Sequence, residues 1–234
     1  MASVSKAESI FINKTKYYYE KVYHFCFVPF FVSLSYGQSA SNERFSVSVD
    51  LGAGQSFGKS NLSPYGVGYR GEYKSGFSGN IKMNYLLGKA FQAGLKFNLF
   101  SDAANYGVAS DAQVADNLNL TYIAPQIGVR VPVSDKWHFD CMIGAGYMNY
   151  HCESLYNSTE QTFKKGFFGA NADLSLCRRI YGNLFLGANL SVMGGHASSL
   201  KATAGNDKNT LKLDKWNRIN VLRADFGLSV KAML

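Results

Sequence analysis

Apolar and polar residues alternate along eight stretches of the chain. In RFSVSVDLGAGQSFG (44–58), Phe45, Val47, Val49, Leu51 and Ala53 are apolar, whereas Ser46, Ser48, Asp50, Gly52 and Gly54 are small or polar. The same pattern recurs over 77–87, 91–100, 120–131, 137–150, 168–177, 184–193 and 222–234. Successive side chains of a β-strand point to opposite faces, so period-two alternation over ten or more residues predicts eight strands. Pro125 falls inside the fourth and predicts a bulge or a poorly paired point there, because proline has no amide proton to donate.

The connections alternate as well. Long gaps (58–76, 101–119, 151–167 and 194–221) follow the odd-numbered strands. Short turns at Gly88-Lys89-Ala90, 132–136 and 178–183 follow the second, fourth and sixth strands. Tight turns join antiparallel neighbours. The expected topology is therefore up-and-down, with four long loops at one end and three turns at the other. Closure into a barrel removes the two open edges that eight strands would otherwise leave. The fold class is all-β, an eight-stranded antiparallel barrel.

Alternation alone does not say which face meets solvent. The polar face consists mostly of Gly, Ser and Asn, with isolated ionic groups at Asp50, Lys82, Lys96, Arg130, Asp140, Asp173, Arg223, Asp225 and Lys231, and with no Glu. A water-exposed surface carries Lys and Glu densely, whereas small groups with interspersed opposite charges suit the cramped interior of an eight-stranded barrel. The apolar face is almost free of charge over about ten residues per strand, matching the roughly 25 Å apolar band of an outer-membrane barrel. Aromatics at Tyr85, Phe91, Trp137, Phe139, Tyr147, Tyr150, Phe168, Tyr181 and Trp216 lie near strand ends, the places of interfacial girdles. The expected barrel is thus transmembrane, with Phe45 and its partners toward lipid and the nine charged groups forming a lumen network. Eight strands leave little room for a water channel, so a plugged lumen is expected, with a narrow ion or small-solute channel as the alternative.

Composition agrees with this reading. Aromatics make up 15% of the 234 residues, charged residues 17%, and 23 residues are glycine. The first 40 residues differ from the rest: Lys14, Lys16 and Lys21 precede the apolar VYHFCFVPFFVSL, followed by Ser35, Gly37 and Ser39. A basic segment, an apolar core and a small-residue exit predict a signal peptide over 1–37, a short linker over 38–42 and the barrel over 43–234. A single membrane anchor is the competing reading of the leader, though the run is short and Pro29 interrupts it. No lipobox-like pattern precedes Cys26. Loss of residues 1–37 removes four Lys and two Glu, taking the net charge from +8 to +6. The positive residues are scattered without interleaved aromatics, which argues against nucleic acid as a partner. Cys141, Cys152 and Cys177 then remain, an odd number at spacings that fit neither a disulfide framework nor a zinc site.

On these patterns, residues 43–234 resemble the small eight-stranded outer-membrane barrels, the OmpA/OmpX-like porin family, in the forms common in Bacteroidetes. The chain departs from them in ending Ala232-Met233-Leu234 rather than on an aromatic; Phe226 is the nearest outward aromatic. The resemblance implies outer-membrane localisation in a Gram-negative envelope, lipid and lipopolysaccharide as immediate partners, and a monomer. It also implies a structural or interaction role in which the loops meet an extracellular protein or glycan. Lys201, Lys208, Lys212, Lys215 and Arg218 are candidates for lipopolysaccharide phosphates. Catalysis has one candidate. GGHASS puts His196 two residues before Ser198, on the same face of a strand, with Asp207 or Asp214 as the orienting carboxylate. This weakly resembles the His-x-Ser of outer-membrane lipid A deacylases, whose following Asn is Ser199 here. No enzyme activity, cofactor or metal is expected. His138 and His151 lack ligand-like company, and the glycines alternate as strand residues instead of forming a phosphate loop.

Overall fold

A computed structural model describes residues 44–58, 75–108, 112–156, 159–205, 207–213 and 218–234. The expected leader (1–37), the linker (38–42), the interior of the first long gap, Asp214, Lys215 and Trp216 lie outside the described residues.

Among the described residues, ten strands form one antiparallel sheet: β1 (Phe45–Ser56), β2 (Ser75–Leu87), β3 (Phe91–Val108), β4 (Ala112–Pro132), β5 (Trp137–Tyr156), β6 (Thr159–Tyr181), β7 (Leu184–Ala197), β8 (Ser199–Ala204), β9 (Asp207–Lys212) and β10 (Ile219–Met233). Eight close into a ring in the order β1-β2-β3-β4-β5-β6-β7-β10, with β1 and β10 paired from Ser46↔Met233 to Ser56↔Arg223. Each ring strand therefore has a backbone partner on both sides, the condition for crossing hydrocarbon without bare amides. The short turns fall where expected. Gly88 (φ 77°) and Gly182 (φ 48°) occupy the left-handed region that two of them require.

At Pro125 the ladder to β5 skips from Ile123↔Tyr147 to Gln126↔Gly144 without a change of register, while Leu95↔Pro125 still pairs on the β3 side. The consequence is a poorly paired point rather than a bulge. The register shift lies instead in β6, between Arg179 and Tyr181.

The long connections differ from expectation. The gaps 101–119, 151–167 and 194–221 are largely strand: β3 and β4 run on to Val108 and Ala112, β5 and β6 to Tyr156 and Thr159, and β8 and β9 form a hairpin attached to β6 through Gln161–Lys164. The physical reason is a second core. Leu118, Leu120, Tyr122, Met148, Tyr150, Cys152, Phe163, Phe167, Leu200, Ile219 and Val221 point inward and are buried together, with Leu211 and Leu213 packed against them.

Parity of hydrophobicity inverts where this core begins. On β4, Ile123 and Ile127 face out while Gln126 and Arg130 face in; above them Leu118, Leu120 and Tyr122 face in, and Asn117, Asn119 and Thr121 do not. The switch falls at 147/148 on β5, 167/168 on β6 and 221/222 on β10. Below it the barrel has an oily outside and a polar inside; above it the arrangement is that of a water-soluble sheet. Such an inversion marks a change of solvent from hydrocarbon to water.

Candidate functional site: the lumen

Below the inversion, all nine charged residues of the polar face point inward and are buried. Their contacts form three tiers. At the turn end, Asp140 (β5) accepts from Arg130 Nε at 2.9 Å and Gln92 Nε2 at 2.9 Å, and is ion-paired with Lys231 of β10. Arg130 also donates to Ser46 Oγ at 3.1 Å and Gln92 Oε1 at 3.0 Å. His138 Nε2 lies 3.2 Å from Lys231 Nζ, and its ring meets Phe185 edge-on at 4.8 Å. Phe185, Cys177 and Met233 form a small apolar floor beside it.

In the middle tier, Lys82 (β2) lies 2.7 Å from Asp50 Oδ2 and donates to Asn189 Oδ1 at 2.7 Å and Ser175 Oγ at 3.3 Å. Lys96 (β3) donates to Asp173 Oδ1 and Ser191 Oγ, each at 2.6 Å. Asp173 accepts further bonds from Gln126 at 2.6 Å and Asn171 at 2.9 Å. In the upper tier, Arg223 grips both oxygens of Asp225 at 2.6 and 2.9 Å and donates to Asn98 Oδ1 at 2.6 Å. Its guanidinium carbon sits 4.1 Å from the Phe100 ring centre. Planar bidentate pairing and stacking on an aromatic face are what arginine, rather than lysine, supplies.

Several of these bonds cross the lumen instead of following its wall. In a ring of eight, β2 stands opposite β6 and β3 opposite β7. Lys82 of β2 reaches Ser175 of β6, and Lys96 of β3 reaches Ser191 of β7. Sequence reasoning singled out the charges but missed the uncharged residues that complete their shells: Gln92, Asn98, Gln126, Asn171, Ser175, Asn189 and Ser191. All share the charged residues' parity, which is the signal that identifies them.

On the outside, Tyr85, Phe91, Trp137, Tyr147, Phe168 and Tyr181 are exposed and Phe139 is half-buried. Tyr147 and Phe168 are paired neighbours at the inversion, while the other five lie toward the turns. Tyr150, expected with them, instead points inward and is buried in the core above the inversion, where the apolar side of the strand has switched; Trp216 is outside the described residues. Cys141 and Cys177 are free thiols, and Cys152 is buried in the apolar core above the inversion. His196 and Ser198 are both exposed, and no hydrogen bond joins them among the described residues. Asp207 pairs with Ala204 at the far end of the β8–β9 hairpin, five residues or roughly 16 Å along the strand from Ser199. His151 Nε2 lies 3.3 Å from Glu153 Oε1, and no cluster suited to a metal occurs among the described residues.

An all-β ring of eight antiparallel strands with an apolar exterior and a polar, ion-paired interior defines the fold as that of the outer-membrane β-barrels. No family model and no curated protein matches the chain. Among solved structures it is similar to a major outer membrane protein from Thermus thermophilus, at 12% identity over 81% of this chain and 99% of the other, with a TM-score of 0.56. It is also similar to the outer membrane protein OprG from Pseudomonas aeruginosa, at 11% identity over 82% of this chain and 97% of the other, with a TM-score of 0.50. At such identities the likeness is one of fold.

Proposed function

We propose that the protein resides in the outer membrane as a closed barrel, an anchor that presents an extracellular sheet, and does not conduct solutes. The observation that carries this reading is the pair of cross-lumen bonds, Lys82 to Ser175 and Lys96 to Ser191, between opposite walls. Side chains tied across the diameter, with buried charges on both, occupy the path an ion would need. Water-filled pores instead line a wide lumen with charges that keep their hydration. Above the inversion, the extended β3–β6 strands and the β8–β9 hairpin supply a rigid surface with its own apolar core, suited to contact with an extracellular protein or glycan. Planar-bilayer recording with the pure, folded chain tests the closed lumen. Silence, or rare small events, is expected; steady openings of uniform size establish the channel alternative and overturn this reading.

A further inference from the structure

The outward face of the extracellular sheet carries a cluster of lysines centred on the level pair Lys164 and Lys201. In β6, β8 and β9, residues paired across strands share a face. Lys164 of β6 stands directly opposite Lys201 of β8. Lys201 in turn pairs with Thr210 of β9, whose neighbours along the strand on that face are Lys208 and Lys212. Lys201 therefore has one lysine directly across from it and two at the diagonals. Directly opposed side chains lie about 5 Å apart and diagonal ones about 7–8 Å. Lys165, whose side chain leaves β6 on the opposite face, donates to Ser199 Oγ at 2.8 Å and does not belong to the cluster. Lys164, Lys201, Lys208 and Lys212 are exposed, and none forms an ion pair among the described residues. Two carboxylates share this face: Glu153, 3.3 Å from His151, is a diagonal neighbour of Lys164 on the β5 side, and Glu160 lies four residues further along β6, so the side of the cluster without a carboxylate is that of Lys201, Lys208 and Lys212.

Like charges placed directly across an antiparallel pair are destabilising, and an anion bound between them would relieve that repulsion. The height of the cluster identifies that anion. Phe168 marks the upper edge of the apolar belt and is 82% exposed. Lys164 lies four residues further along β6, about 13 Å along the strand and about 10 Å above that edge at the usual tilt. The polar headgroup zone occupies about 5–8 Å on each side of the hydrocarbon, and lysine stems bend toward it with their ammonium groups in water.

We infer that the face formed by Lys164, Lys201, Lys208 and Lys212 docks the phosphate groups of a phosphorylated glycolipid of the outer leaflet. The lysines straddle its phosphates while the lipid's acyl chains lie along the belt below Phe168. This surface rests on the barrel being embedded as proposed above, but not on whether its lumen is closed.

The test uses the full folded chain in zwitterionic micelles, titrated with bis-phosphorylated lipid A or with dephosphorylated lipid A and followed by isothermal titration calorimetry. Wild type is expected to bind the phosphorylated form more tightly. The pair Lys164→Ser/Lys201→Ser is expected to lose about 30-fold, from roughly fivefold per lysine at a charged membrane surface, and Lys164→Arg/Lys201→Arg to retain binding. Sodium phosphate is expected to compete no better than sodium chloride of equal ionic strength. Equal affinity for dephosphorylated lipid A, an undiminished affinity of the serine variant, or occupancy by free phosphate at its bulk concentration each overturns the inference. Resistance of each variant to SDS before boiling reports that the barrel is folded. A barrel that never acquires that resistance contradicts the membrane reading itself, whereas a folded barrel indifferent to lipid phosphate contradicts only this surface.

Discussion

Lys96→Met tests whether the lumen charges act as paired units. Both Lys96 and Asp173 are essentially without solvent exposure, at 0% and 1%, and their ion pair is 2.6 Å long. Methionine keeps the length of the stem and removes the charge. Asp173 then remains buried with two neutral donors, Gln126 and Asn171. Removal of one partner of a buried pair costs about 3–5 kcal/mol. The two surviving bonds place this case near the lower limit, about 3 kcal/mol, or roughly a hundredfold in the folded-to-unfolded ratio at 1.4 kcal/mol per tenfold. Asp173→Asn is expected to cost a comparable amount, because it leaves the buried ammonium with neutral acceptors and no counter-charge. The double variant Lys96→Met/Asp173→Asn leaves no buried charge at the site and keeps an amide that accepts from Gln126 or Asn171, so it is expected to cost less than either single change. Urea unfolding in lipid vesicles, followed by tryptophan fluorescence and by the heat-dependent shift on SDS gels, measures all four proteins. The reasoning fails if the double variant costs the sum of the singles, or if Lys96→Met costs less than about 1 kcal/mol, the level of an exposed pair.

Three other outcomes follow from the same geometry. Leu228 faces outward near the middle of β10 and is 67% exposed, so Leu228→Arg should cost about 2–4 kcal/mol in vesicles; a change within about 0.5 kcal/mol, as on a water-facing surface, would mean that hydrocarbon does not bathe this face. Gly52 faces Gly227 across the β1–β10 seam, and a Cβ there would meet the Phe226 carbonyl and the Gly227 Cα, both backbone atoms. Gly52→Val should therefore abolish or sharply reduce the SDS-resistant form, while Gly79→Ala, whose Cβ would meet its nearest neighbour at 3.6 Å, should fold normally. Asp102 lies on β3 above the belt, where burial pushes its carboxyl up to about 6, against an opposing hydrogen bond from the Ala103 amide. A raised acid binds its proton more tightly folded than unfolded, so stability falls as pH rises from about 4 to about 6 and stays at the lower level above that. Comparison of wild type with Asp102→Asn across that window should show the slope disappearing in the variant, and an unchanged slope would remove Asp102 as its source.

The alternation of Val47, Val49 and Leu51 with Ser48 and Asp50 is sufficient by itself to define strands, and the rhythm of long and short connections is sufficient to define an up-and-down ring. Both are local signals: a strand's two faces are adjacent in sequence, and a tight turn between antiparallel neighbours needs only a few residues. The chemistry of the polar parity, small groups with isolated ionic residues and no Glu, likewise identifies the inside. Partner choice inside that lumen is not local. Lys82 and Ser175 are 93 residues apart, and Arg223 and Asn98 are 125; they meet because ring closure and the stagger between strands bring distant walls to one level. The sheet above the inversion was obscured for a different reason. Leu118, Leu120 and Tyr122 continue the period of two, but their apolar side has the opposite parity to Ile123 and Ile127, so the alternation reads as ending where it inverts. Which side of a strand must be apolar depends on whether lipid or water lies outside it, and that boundary emerges only when the strands stand side by side and their inversions fall on adjacent strands.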